Sequence, residues 1–73
     1  MSKMEVSSPV TGTVWKVELK VGDKVREGDI IMILESMKME VPVEATVEGV
    51  ISHVSVESGV SVDEGQFLCA IEA

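Results

Sequence analysis

Seventy-three residues with a formal net charge of −7 leave room for one domain, 1–73, and argue against nucleic-acid binding, since phosphate recognition needs clusters of Lys and Arg. One cysteine, Cys69, excludes an intrachain disulfide and so a disulfide-stapled secreted scaffold. The N-terminal residues have no apolar signal core, and runs such as Ile30 to Leu34 are far too short to cross a bilayer. No membrane partner is expected, and a soluble cytoplasmic protein is the simplest reading.

Apolar residues make up 45% of the chain, yet Trp15 and Phe67 are its only aromatics. The core must therefore be aliphatic, and the abundant valines favour pleated, half-buried strands. Alternation and turn residues place strands near 3–7, 13–20, 24–26, 30–35, 39–44, 49–57, 61–63 and 67–72. Segment 35–45 is the best helical candidate, but Pro42 and its β-branched residues argue against a helix. Proline cannot donate to a ladder, so strand 39–44 should be an edge or carry a bulge.

The chain repeats itself at an offset of 37 residues. Val10, Gly12, Val17, Gly22, Val25, Glu27, Gly28 and Glu35 fall on Val47, Gly49, Val54, Gly59, Val62, Glu64, Gly65 and Glu72, eight identities in the 29 pairs from Ser8/Ala45 to Ser36/Ala73. Roughly two or three would match by chance in this composition. Gly22/Gly59 and Gly28/Gly65 fit turns that need positive φ. Each half reads as strand, turn, short strand, turn, buried strand. Two such halves should pack face to face, as a flattened barrel or sandwich with a pseudo-two-fold axis. Val14, Val17, Leu19 and Val25 have apolar partners in the other half and are core candidates. Lys16/His53 and Lys20/Glu57 pair polar with polar and should face solvent. Trp15 falls on Ser52, so that position tolerates a small polar group, and Cys69 falls on Met32, a core position.

At the joint of the halves lies Glu35-Ser36-Met37-Lys38-Met39-Glu40. This segment resembles the attachment site of biotin carboxyl carrier domains, in which a small residue followed by Met-Lys-Met forms a β-hairpin tip. Pro9-Val10-Thr11-Gly12, Val21-Gly22-Asp23-Lys24-Val25 and Glu27-Gly28 are similar to the family's flanking elements. The resemblance runs from about Val6 to Ile71. It implies an all-β, flattened eight-stranded barrel of two four-stranded sheets, the barrel-sandwich hybrid. It also implies covalent biotin on Lys38, attached by a biotin ligase. Glu35, Ser36, Met37, Met39 and Glu40 would be read by the ligase or by partners. Met37 and Met39 could otherwise be apolar fillers, and Glu35 could serve strand ends or charge balance.

In that family a biotin carboxylase loads the biotin ring and a carboxyltransferase unloads it, so the carrier itself is not an enzyme. A solvated lysine is mostly an ammonium ion at pH 7. The ligase must therefore supply the deprotonation and the activated acyl donor, while the carrier fixes the position of the amine. No catalytic or metal site is read from the lone His53 and Cys69. The equal spacing of Gly12 to Gly22 and Gly49 to Gly59 leaves no room for the protruding "thumb" of some acetyl-CoA carboxylase carriers. The initial methionine and compact end lean towards a free-standing carrier, monomeric in isolation. Two alternatives are a lipoyl carrier of a 2-oxoacid dehydrogenase complex (or a carrier accepted by both ligases) and an unmodified structural barrel. The methionines around Lys38 argue against the first, and the intact Met-Lys-Met against the second.

Overall fold

The computed structural model describes residues 3–73. Eight strands follow in chain order: β1 (Lys3–Ser7), β2 (Gly12–Val17), β3 (Lys24–Val25), β4 (Ile30–Ser36), β5 (Met39–Glu44), β6 (Gly49–Val54), β7 (Ser61–Val62) and β8 (Phe67–Glu72). They form two antiparallel four-stranded sheets, ordered β1-β8-β6-β3 and β5-β4-β2-β7. We call these the β8 sheet and the β4 sheet. Among the described residues no helix is long and apolar enough to cross a membrane.

The halves do not each make a sheet, as simple face-to-face packing would require. Each sheet takes two strands from either half, and a shift of 37 residues turns one sheet order into the other. Closed hydrogen bonds explain the exchange. The Gly22 amide donates to the Ile51 carbonyl (2.8 Å) and the Gly59 amide to the Val14 carbonyl (2.7 Å). In return Ile51 donates to Asp23 (2.9 Å) and Val14 to Val60 (2.8 Å). Gly22 and Gly59 hold φ of 98° and 94°, a conformation that costs an L side chain far more than glycine. Each turn thus pairs with the opposite half, and neither half can complete its own backbone bonding.

Two strands are shorter than alternation suggests. β2 ends at Val17 and β6 at Val54, not near 20 and 57. The Glu18 and Leu19 amides both donate to the Ile31 carbonyl (2.9 and 3.2 Å), so two residues face one and the ladder stops. The Lys20 amide then donates to an Asp23 carboxylate oxygen (2.9 Å), closing the turn. Leu19 still packs against the core, and Val56 is buried. Inward side chains here continue past the end of the ladder, so the apolar pattern overstates strand length.

The core lies between the sheets. Val14, Ile31, Met32 and Leu34 of the β4 sheet pack with Ile51, Leu68, Cys69 and Ile71 of the β8 sheet, all essentially inaccessible to water. Burying each large aliphatic side chain contributes about 1.5–3 kcal/mol. Val25 joins them, whereas Val17 is only half-buried. Lys16, His53, Lys20 and Glu57 are exposed as the repeat implies. β5, which contains Pro42, is an edge strand.

Gly12 and Gly49 have a different task from the turn glycines. A Cβ on Gly12 would overlap the Glu35 carbonyl, and one on Gly49 the Glu72 carbonyl. The close approach of the first residue of β2 to the end of its neighbour β4, and of the first residue of β6 to the end of β8, needs the missing side chain. Gly49→Ala should therefore cost about 1–3 kcal/mol by overpacking, read from a urea unfolding midpoint. A loss below about 0.5 kcal/mol would show that the start of β6 moves away from the Glu72 carbonyl without cost.

Cys69 supplies a second test. Burial pushes its thiol from 9.0 up to about 11. The folded state therefore holds the proton more tightly than the unfolded chain, and its stabilisation is complete below pH 9 and lost as pH rises towards 11. The native thiol should resist a thiol reagent at pH 8 and react fully in urea. Rapid native labelling at rates independent of denaturant would contradict this burial.

Candidate functional site: the β4–β5 hairpin tip

The six residues of the Lys38 segment converge at the end of one hairpin. β4 and β5 pair in the register Leu34↔Val41, Glu35↔Glu40 and Ser36↔Met39, leaving Met37 and Lys38 as a two-residue turn. Both have positive φ, 52° and 65°. Two consecutive left-handed residues define the type I′ turn, whose twist matches that of paired strands. Asn-Gly is its usual sequence. Met-Lys accepts roughly 1–2 kcal/mol per residue of left-handed strain.

The surroundings hold this turn in place. Ser36 is half-buried, and its hydroxyl donates to the Thr11 carbonyl (2.9 Å). The Thr11 hydroxyl accepts from the Glu64 amide (2.9 Å). Gly12 lies close against the Glu35 carbonyl, with the Ser36 Cβ near the space a side chain would fill. The tip therefore rests on the β1–β2 loop, which is tied to the turn before β8. A larger residue at Ser36 would meet that loop, which gives a physical reason for a small side chain there.

The side chains on the tip point away from the protein. Met37 is 92% exposed and Met39 66%, so neither fills space against the barrel. Lys38 is exposed. Among the described residues the one ion pair is Lys16–Glu18 (3.8 Å), and Lys38 forms none. Glu35 and Glu40 are also exposed and stand directly opposite each other across the hairpin. Like charges in that position destabilise a strand pair, so the fold gains nothing from this juxtaposition.

Among the described residues, the other chemically active side chains are accounted for by the fold. Cys69 is buried, with its thiol held neutral. His53 is exposed and stacks on Phe67, their rings 5.8 Å apart. Among the described residues no three or more His, Cys, Asp or Glu gather as metal ligands. The arrangement presents an amine at a fixed position.

That these six residues share one hairpin tip was legible in the sequence. The supports, Thr11 and Gly12, were visible only as part of a flanking pattern with no stated role. The positive φ of Met37 and Lys38 carried no signal, because neither residue type favours it.

The tip also has a defined place on the barrel. Gly12 begins β2 beside Glu35 and Ser36, and the chain runs on to Lys24 and Val25. These pair with Val50 and Gly49, next to Glu72. Glu72 in turn pairs with Lys3. The paired ends of the described chain therefore lie at the pole opposite Lys38, in a molecule whose longest dimension is 36 Å.

The family model described as "Biotin-requiring enzyme", of the biotin/lipoyl type, matches residues 4–71. The chain is 43% identical over 65 residues to the biotin/lipoyl attachment protein of Bacillus subtilis, covering 89% of each chain. It is 40% identical over 67 residues to the biotin carboxyl carrier protein of acetyl-CoA carboxylase of Solanum lycopersicum, covering 92% of this chain and 96% of that one. The crystal structure of the Kluyveromyces lactis urea carboxylase superposes with a TM-score of 0.92 at 33% identity, covering 99% of this chain and 6% of the larger one. The chain belongs to the biotin/lipoyl family of biotin-requiring enzymes.

Proposed function

We propose that the amine of Lys38 is the point at which biotin is attached. The chain is a biotin carboxyl carrier of biotin-dependent carboxylases, and biotin is its covalent cofactor. The observation that carries the assignment of Lys38 is the turn itself. A lysine with positive φ, exposed and free of ion pairs, sits between two exposed methionines at the end of a braced hairpin.

The residues divide the work. The ladder of β4 and β5, the Ser36–Thr11 bond and Gly12 fix the backbone of the tip. Lys38 supplies the nucleophilic nitrogen once a ligase has removed its proton. Met37 and Met39, with Glu35 and Glu40, offer an apolar and acidic surface around the amine for the ligase to grip. The paired methionines favour biotin over lipoate. Once attached, biotin carries a carboxyl group between a biotin carboxylase and a carboxyltransferase. Tethering makes both encounters effectively intramolecular and raises the local concentration. The domain performs no chemistry of its own, acts in the cytoplasm, and is monomeric in isolation.

Lys38→Arg tests the attachment point. Incubation with a biotin protein ligase, biotin and ATP should add one biotin to the wild-type chain and none to the variant by intact mass. The melting temperature should stay nearly unchanged, because the side chain is exposed and forms no ion pair. Biotin on Lys16, Lys20 or Lys24 would refute the assignment, and a large loss of stability would make Lys38 structural.

The turn gives a separable prediction. Met37→Gly should stabilise the fold by up to about 1 kcal/mol, because glycine takes positive φ without strain. The same variant should be a poorer ligase substrate, since it loses an exposed methionine. Unchanged stability would mean that the turn relaxes without cost.

A further inference from the structure

We propose that the outer face of the β4 sheet, from the Glu35–Glu40 pair across to Trp15, is a docking surface for the biotin protein ligase. On the ligase side it calls for an apolar pocket rimmed by lysine or arginine. The proposal rests on the attachment role given to Lys38 above.

The first observation is Trp15, 53% exposed. It occupies the bulge in β2 where the register with β4 shifts between Val14 and Lys16. Bulges re-aim a side chain, and this one leaves an indole on the outer surface. The residue after it, Lys16, pairs with Ile33 of β4, which is half-buried, and the partner of Ile33 on β5, Pro42, is exposed. Trp15, Ile33 and Pro42 form an apolar stripe over three neighbouring strands.

The repeat provides an internal control. The positions 37 residues away are Ser52, Ala70 and Glu5. They occupy the same register in the β8 sheet, with a matching bulge between Ile51 and His53 and the pair Glu5↔Ala70. The same architecture is therefore built once with Trp, Ile and Pro and once with Ser, Ala and Glu. The fold does not require an apolar stripe there, and it occurs only on the sheet that carries the tip.

The charges name the partner's chemistry. Glu35 and Glu40 lie on the same face as the stripe, one step nearer the tip, and Glu44 continues the alternation beyond Pro42. The nearby cation Lys16 is already engaged by Glu18. A partner on this face meets uncompensated carboxylates around an apolar centre, the complement of a pocket with a basic rim.

Reach selects the ligase among such partners. The ligase has to close on the Lys38 nitrogen itself. Ile33 is about 10 Å from the last cross-strand pair of the hairpin, at roughly 3.4 Å per residue. An enzyme covering the tip at bonding distance also covers this face. The carboxylase components act at the far end of the biotin tail and can stand further off.

The experiment uses a purified biotin protein ligase that labels the wild-type chain. Product is read by intact mass over a range of carrier concentrations. Trp15→Ser combined with Pro42→Glu installs the residues that the other sheet carries. We expect KM to rise about tenfold with kcat within twofold, and Trp15→Phe to retain most of the wild-type KM. Binding is read separately, without the chemistry. The Lys38→Arg chain should inhibit labelling of the wild type, and adding Trp15→Ser should weaken that inhibition about tenfold. Raising the salt concentration should weaken it too, as screened carboxylates lose their basic partners. KM within twofold of wild type in variants with normal melting curves overturns the proposal, as does undiminished inhibition. Wild-type dimers that dissociate on Trp15→Ser, with KM unchanged, would assign the face to a second copy and also overturn it. No biotin on the wild-type chain would instead defeat the attachment reading of Lys38, a distinct result.

Discussion

The structure depends on a reciprocal exchange of backbone hydrogen bonds between its halves. The Gly22 turn is completed by Ile51 and the Gly59 turn by Val14. A chain of this length buries little surface and has few ways to become rigid. Interleaving solves this because the Gly22 and Gly59 turns lie against strands of the other half. Stability and rigidity then arise together, and the β4–β5 hairpin inherits a platform it could not have as an isolated pair.

Rigidity matters because the site contains almost no chemistry. A carrier contributes position, and position is worth little if the attachment residue wanders. The left-handed backbone at Met37 and Lys38 is strain placed where the surrounding structure can hold it, as at many functional sites. The opposed carboxylates of Glu35 and Glu40 have the same character. Both features disfavour the isolated hairpin, so the stability of the fold does not account for them.

Much of this was legible in the sequence, for identifiable reasons. The repeat located the glycine turns, because positive φ restricts residue type. Pro42 marked the edge strand, because a missing amide cannot be hidden in a central one. The exposed hairpin tip at Lys38 was readable because it falls at the joint between the repeated halves. The exchange of strands between the halves was not legible, since a repeat reports similarity and not which partner completes each bond. The ends of β2 and β6 were missed because Leu19 and Val56 stay inward after the ladder has stopped. The role of Gly12 was hidden because close approach to a carbonyl leaves no trace except the absence of a side chain.

Lys3 and Glu72 pair at the pole remote from Lys38, in the register that Glu40 and Glu35 hold at the tip. The remote pole is thus the symmetry mate of the tip, a hairpin without its turn. A connection made there would act as a pivot, and the barrel would act as the arm. Small rotations about that pole would sweep the amine through an arc whose radius approaches the 36 Å length of the molecule, before any flexibility of the lysine is counted.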